Sequence, residues 1–207
     1  MDKSALVYLI ICGIIGFIGF YFGAISGYIL GAIGAVCFLF TAFFFRDPKR
    51  IPPEDSDAIV SPADGVIVSI DEVDDPDIPD AQRIAIFMSP LNVHVNRTST
   101  DGKVIDIKRY PGCFRRAYLS EASLENERVE ILLETPKGNV RIKQIAGIIA
   151  RRIVCRAKVG DSLVKGQKFG LIHFGSRVEL VLPSCIELTV SLKQKVFAGE
   201  TIVARWK

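Results

Sequence analysis

The chain is short of histidine, of paired cysteines and of charge of one sign, and each shortage removes a class of function. Only His94 and His173 offer imidazoles, too few and too far apart in sequence for a histidine-rich metal site, and no metal is expected. Cys12, Cys37, Cys113, Cys155 and Cys185 are isolated, with no CxxC spacing. They read as free thiols rather than as a zinc ribbon or a disulfide framework. The 26 basic and 23 acidic residues leave a net charge of +3 with no polybasic tail, so nothing points to a nucleic-acid partner. At 207 residues there is room for one ordinary domain and an appendage.

The most telling absence is local. From Ala5 to Phe45 there is no Asp, Glu, Lys, Arg or His, which is a membrane signature. A single helix of that length would reach about 60 Å, roughly twice a hydrocarbon core of about 30 Å. The run therefore predicts two spans, Ala5 to Phe22 and Ser26 to Phe45, turning at Gly23-Ala24-Ile25, as a hairpin over residues 1–46. It is too long for the apolar part of a secretory signal, about 7 to 15 residues. Lys3 before the first span and Arg46, Lys49 and Arg50 after the second put both ends, and the domain that follows, on the cytoplasmic side of the cell membrane. The same three cations could also meet anionic headgroups. Gly19, Gly23, Gly27 and Gly31 recur at a spacing that lets two helices approach closely.

Beyond Pro48 the composition changes. Pro52-Pro53 and the acidic stretch Asp71 to Asp80 read as loops. Between and after them, Ala58 to Val60, Gly65 to Ile70, Arg83 to Met88, Gly102 to Arg109, Val129 to Thr135, Asn139 to Ile145 and Ile149 to Ala157 are Val- and Ile-rich and read as strands. Phe114 to Arg128 is the one stretch suited to a short helix. Val159 to Gly170 and Phe197 to Ala204 have the rhythm of small β-barrel hairpins, similar to biotinyl and lipoyl carrier domains. Residues 47–207 are thus expected to form a mainly β (α+β) domain with lipoyl-like hairpins.

Reactive side chains meet turn chemistry in three places: Ser61-Pro62-Ala63-Asp64-Gly65, Ser89 to Arg97 around His94, and Phe174-Gly175-Ser176-Arg177. With Phe45-Arg46-Asp47-Pro48, Tyr110-Pro111-Gly112-Cys113-Phe114, Glu125 to Arg128 and Gln144 to Cys155, these stretches run in one order along about 160 residues. In that order they resemble the phosphatidylserine decarboxylase proenzymes of the short, membrane-anchored type, including those acting on archaetidylserine. The resemblance implies that the chain cuts itself between Gly175 and Ser176 into 1–175 and 176–207, which stay together as a heterodimer. Ser176 would become a covalent pyruvoyl group, the only cofactor. Its ketone would bind the amino group of the lipid's serine head and take up the electrons of the leaving carboxylate.

The residues suit that chemistry. A serine hydroxyl needs a base to attack the preceding carbonyl, and His94, with an ordinary pKa of about 6.5, is one. Asp64 could hold one nitrogen of its ring. The resemblance gives Asp64, His94 and Ser176 the catalytic roles, and Gly175 and Ser176 the scissile bond. Tyr110, Phe114 and Arg115 are candidates for the substrate, as are the pairs Arg115-Arg116 and Arg151-Arg152, of which neighbours on one strand point to opposite faces. One departure stands out: longer members carry a second histidine three residues after the first, and here that position is Arg97. His173 has no family role and reads as a strand residue.

Two other readings compete. A membrane-tethered carrier or binding module would use the same hairpins, display Lys165 and remain uncut. A zinc peptidase of the lysostaphin-like class would share turns such as Gly138-Asn139-Val140, but two histidines do not supply its metal site. The expected partner is a membrane phospholipid, with a further copy of the chain left open.

Overall fold

The computed structural model describes residues 5–113, 125–147, 152–173 and 176–207, and the chain divides into two compact units, Met1–Pro48 and Lys49–Lys207. The first holds two helices, α1 (Ala5–Phe22) and α2 (Ile25–Phe44). At 1.5 Å per residue each is about as long as a hydrocarbon core is thick, and both are apolar enough to cross one. The second span lies one residue earlier than expected. Gly23 makes the turn with a φ of +65°, and the helices then pack backbone to backbone, since a Cβ on Gly19 would lie 2.5 Å from the amide nitrogen of Gly31. Arg46 closes α2, its guanidinium donating to the Phe43 carbonyl at 2.8 Å, where a cation meets the negative end of the helix.

The second unit is built of strands: β1 (Ala58–Val60), β2 (Gly65–Asp75), β3 (Ile78–Met88), β4 (Val95–Arg97), β5 (Gly102–Tyr110), β6 (Arg128–Thr135), β7 (Gly138–Ile145), β8 (Ile153–Cys155), β9 (Ser162–Leu163), β10 (Lys168–Ile172), β11 (Ser176–Leu182), β12 (Ile186–Leu188), β13 (Lys195–Val196) and β14 (Ile202–Trp206). One sheet of eight has the order β13-β2-β3-β11-β7-β6-β5-β9. Two sheets of three, β1-β14-β12 and β4-β10-β8, accompany it. Alternation decides the faces: Ile84, Ile86, Met88, Ile142, Val178, Leu180 and Leu182 turn to one side and join Ile59, Phe169, Ile172 and Trp206 in a single core. Each such side chain removed from water contributes roughly 1.5–3 kcal/mol.

Two expectations are corrected. The acidic stretch Asp71 to Asp80 is mostly strand rather than loop: β2 runs to Asp75 and β3 starts at Ile78. The carboxylates are absorbed by cations across the ladder, Asp71 by Arg83 at 2.8 Å and Asp75 by Arg141 at 2.7 Å. Pro79 is tolerated because β11 pairs with β3 only from Gln82 onward. Of the expected helix, 114–124 lies outside the described residues, while Asn126 bridges Cys113 and Arg128 opens β6. Likewise 148–151, the start of the strand expected at Ile149, is outside them.

The face away from the main core carries buried charge. Arg141 grips Asp75 with two nitrogens, at 2.7 and 2.9 Å, and both side chains are 3 % exposed. Burial alone would raise the Asp75 carboxyl, but the hydrogen bonds from Arg141 and from the Asp77 amide outweigh it and hold the group below its ordinary value. Its contribution to stability is therefore complete above about pH 3.9, the unfolded value, and is lost as pH falls through the lower folded one. Arg141→Met should cost ~3–5 kcal/mol by leaving Asp75 charged and unpaired. Thermal melts of the full chain in detergent would show the deficit shrinking as the pH is lowered into that window.

Candidate active site

Ser176 is the first residue of β11 and has no exposed surface. Its strand is held on both edges, by β3 and by β7, and the register sets Ser176 opposite Met88, the last residue of β3. The two side chains share the core face, and Ser176 Oγ donates to Met88 Sδ at 3.4 Å. Gly175 and Phe174 lie outside the described residues, as do Phe114, Arg115, Arg116 and Arg151.

His94 reaches the same end of the sheet from the small one. β4 follows it directly and pairs with β10, and the Ile172 N–H donates to the His94 carbonyl at 3.3 Å. The segment from Met88 to His94 is thus pinned to the segment from Ile172 to Ser176 at both ends. The imidazole is 1 % exposed, and its Nδ1 stands 3.0 Å from the Asn92 carbonyl. A carbonyl only accepts, so Nδ1 carries the proton and Nε2 is the basic nitrogen.

Asp64 is delivered by the Ser-Pro-Ala-Asp-Gly turn. Ser61 Oγ bonds the Ala63 carbonyl at 2.7 Å, while the Arg97 N–H donates to the Pro62 carbonyl at 2.9 Å, tying the turn to β4. Gly65 is required next: a Cβ there would lie 2.2 Å from the Phe87 carbonyl oxygen, one residue from Met88. The Asp64 carboxylate, 4 % exposed, accepts from Arg50 at 2.9 Å and from the Ala198 N–H at 2.8 Å. Three stretches remote in sequence therefore close on one end of the β3–β11 pair.

Other expectations resolve differently. Arg50 was considered for lipid headgroups, yet it spans Asp64 and Glu200 and lies 5.4 Å from the centre of the Phe197 ring. Arg97, at the place of the second histidine, donates to the Gly166 carbonyl at 2.9 Å and is 7 % exposed, so it braces a loop. His173 is buried and its N–H donates to the Arg152 carbonyl. Tyr110 lines a cleft of 330 Å³ with Arg109 and Glu127, under the Arg128 guanidinium at 4.0 Å. The register Tyr110–Arg128–Ile145–Arg177 puts it three strands from Arg177, ~14 Å away, on the face opposite the Ser176 side chain. Lys165 is turned inward, its Nζ on the Asp55 carbonyl. Among the described residues no three His, Cys, Asp or Glu side chains could hold a metal together.

Sequence reasoning missed Met88, Asn96, Gln144 and the pair Arg177–Glu179. Arg177 Nε meets Glu179 Oε1 at 2.8 Å with both residues buried, and burial pushes the guanidinium down from its ordinary value against the pull of Glu179. The available signal was two charges alternating with Val178 and Leu180 in a strand otherwise apolar.

The model of the phosphatidylserine decarboxylase family matches residues 37–204. The chain belongs to the phosphatidylserine decarboxylase family. It is 44% identical over 192 residues to the phosphatidylserine decarboxylase proenzyme of Geotalea uraniireducens, covering 92% of this chain and 90% of that one. The proenzyme of Chlorobium chlorochromatii is 44% identical over 207 residues, 99% of this chain and 95% of its own. That of Rhodopirellula baltica is 48% identical over 171 residues, 80% and 71% respectively.

In this family member the Arg50–Asp64 pair is open to a direct check. Arg50→Met keeps the aliphatic stem but takes the guanidinium from a buried carboxylate. The self-cleavage expected between Gly175 and Ser176 should slow roughly tenfold, a rise of about 1.4 kcal/mol in its barrier, as read from the uncut fraction over time. An unchanged rate would leave the pair with no role beyond holding 50–53 in place.

Proposed function

We propose that the chain decarboxylates the serine head group of a membrane phospholipid, phosphatidylserine to phosphatidylethanolamine, after cutting itself between Gly175 and Ser176. The observation that carries this is the pinning of Met88–His94 against Ile172–Ser176, which brings a buried serine and a buried imidazole to one end of β3 and β11. The names of the relatives, phosphatidylserine decarboxylase proenzyme, support the substrate and a maturation step.

In the first stage Ser176 Oγ bonds to the Gly175 carbonyl carbon while its proton passes to His94 Nε2. The Gly175–Ser176 amide bond breaks, its nitrogen takes a proton, and an ester joins the two residues. Loss of the Ser176 Cα proton then expels Oγ with Gly175 as its carboxylate. Water replaces the nitrogen of the new terminal residue, which leaves as ammonia. Asp64, held by Arg50 and the Ala198 amide, is the proposed partner of His94 in this proton transfer.

The surroundings of Ser176 fit the pyruvoyl group that results. Its methyl would stand where Oγ leaves, against the Met88 thioether, and a thioether loses little when a hydroxyl is replaced by a methyl. When formed, that group supplies a ketone able to engage the substrate amine and an amide-conjugated sink for the electrons released with carbon dioxide. The chain's own part is to hold residue 176 between β3 and β7 and return a proton, for which His94 is the proposed donor. Two spans keep the domain on the bilayer that holds its two-chained substrate, with the positive ends on the cytoplasmic side. The carrier-module reading finds less support, because Lys165 is turned inward rather than displayed.

Intact mass decides the first stage. Wild type should separate into 1–175 and 176–207, the latter with a blocked terminus, Ser176→Ala should stay whole, and His94→Ala should mature slowly. A normally cut Ser176→Ala would overturn the reading. For the second stage, borohydride with substrate present should fix lipid to the 176–207 fragment; label only on a lysine of the larger one would contradict it.

A further inference from the structure

Behind Ser176 lies a buried polar chain that neither the cleavage nor the decarboxylation described above uses. Asn96 Nδ2 approaches the same Met88 sulfur as Ser176 Oγ, at 3.7 Å. Its Oδ1 accepts from Gln144 Nε2 at 2.8 Å. Ser176, Met88, Asn96 and Gln144 are all without exposed surface. They come from β11, β3, β4 and β7, so the chain links the large sheet to the small one. Gly170, opposite Asn96 on β10, leaves the passage open: a Cβ there would stand 3.0 Å from Gln144 Nε2 and 2.3 Å from the Val154 carbonyl oxygen. Gln144 Oε1 is buried with no hydrogen-bond partner among the described residues, a cost that an apolar side chain at this place would avoid.

We propose that Asn96 is a positioning residue for chain cleavage, acting through Met88 on the Ser176 hydroxyl, with Gln144 as its anchor. This rests on the reading of Ser176 as the self-cleaving nucleophile. Methionine has three rotatable bonds and by itself holds no fixed place. Gln144 takes the Asn96 oxygen, which turns the Asn96 N–H edge to the sulfur and fixes it. The fixed sulfur in turn selects one rotamer of Ser176. Thioether sulfur is a weak acceptor, so the hydroxyl is oriented without being trapped and leaves readily for the carbonyl it attacks. A carboxylate or amide oxygen in its place would hold the nucleophile back. Asn96 is the residue of β4 whose side chain reaches the Met88 sulfur.

The test follows cleavage of the full chain made by cell-free synthesis into phospholipid vesicles, with Ser176→Ala in parallel. Asn96→Ala and Met88→Leu should each slow cleavage roughly tenfold, and the double variant should be no slower than the slower single, since both break one linkage. Asn96→Asp, nearly the same in shape but without the N–H edge, should match Asn96→Ala, which covers the case in which the alanine variant fails to fold. Wild-type rates in Asn96→Asp, or effects that multiply in the double variant, would overturn the proposal. A cut Ser176→Ala would instead overturn the reading beneath it.

Discussion

β11 is paired along both edges, to β3 from Gln82 to Met88 and to β7 from Arg141 to Ile145, and the rest of the site is arranged around that clamp. A strand held on two sides cannot slip by one residue without turning every side chain to the other face. Here a slip would carry Val178, Leu180 and Leu182 out of the core and Arg177 and Glu179 into it. The hydrophobic alternation thereby places Ser176 on the core face opposite Met88. A break before Ser176, as proposed, would remove none of these pairings, so the 176–207 segment would have reason to stay in place.

Most of what brings the other elements to Ser176 is backbone hydrogen bonding. The Ser61–Gly65 turn is sewn to β4 by the Arg97 amide and to the 197–201 turn by the Ser61 and Gly199 amides. His94 directly precedes β4, which pairs with β10, and β10 leads into the segment before Ser176. Buried backbone groups must be paired, and this requirement fixes the loops more firmly than side-chain contacts alone would. It also explains why small residues recur where they do: Gly65 and Gly170 stand at points of backbone approach that a Cβ would block.

Packing polar residues among apolar ones has a cost that the fold accepts in two places. On the outer face, Arg141 with Asp75 and Arg177 with Glu179 are buried charges whose partners offset much of their desolvation. On the core face, Asn96, Gln144 and Ser176 replace side chains that would have packed as hydrocarbon. Conflicts of this kind between burial and polarity mark sites where function has been favoured over stability.

Much was legible in the sequence because it was carried by local rules. The charge-free run announced two N-terminal helices, each long and apolar enough to cross a membrane. The Val- and Ile-rich segments anticipated β2, β3, β5, β6 and β7 of the large sheet but not its central strand β11, and the motifs around Asp64, His94 and Ser176 pointed to the family and its candidate residues. The acidic hairpin from Asp71 to Asp80 was misread because its charges find partners, Arg83 and Arg141, that are distant or on another strand. Arg50, Met88, Asn96 and Gln144 were unreadable for the same reason: each acquires its meaning from neighbours on other strands or loops, 8 to 150 residues away. Periodicity and turn chemistry decide what a segment becomes, whereas pairing between strands decides whom it meets, and only the closed sheet determines the second.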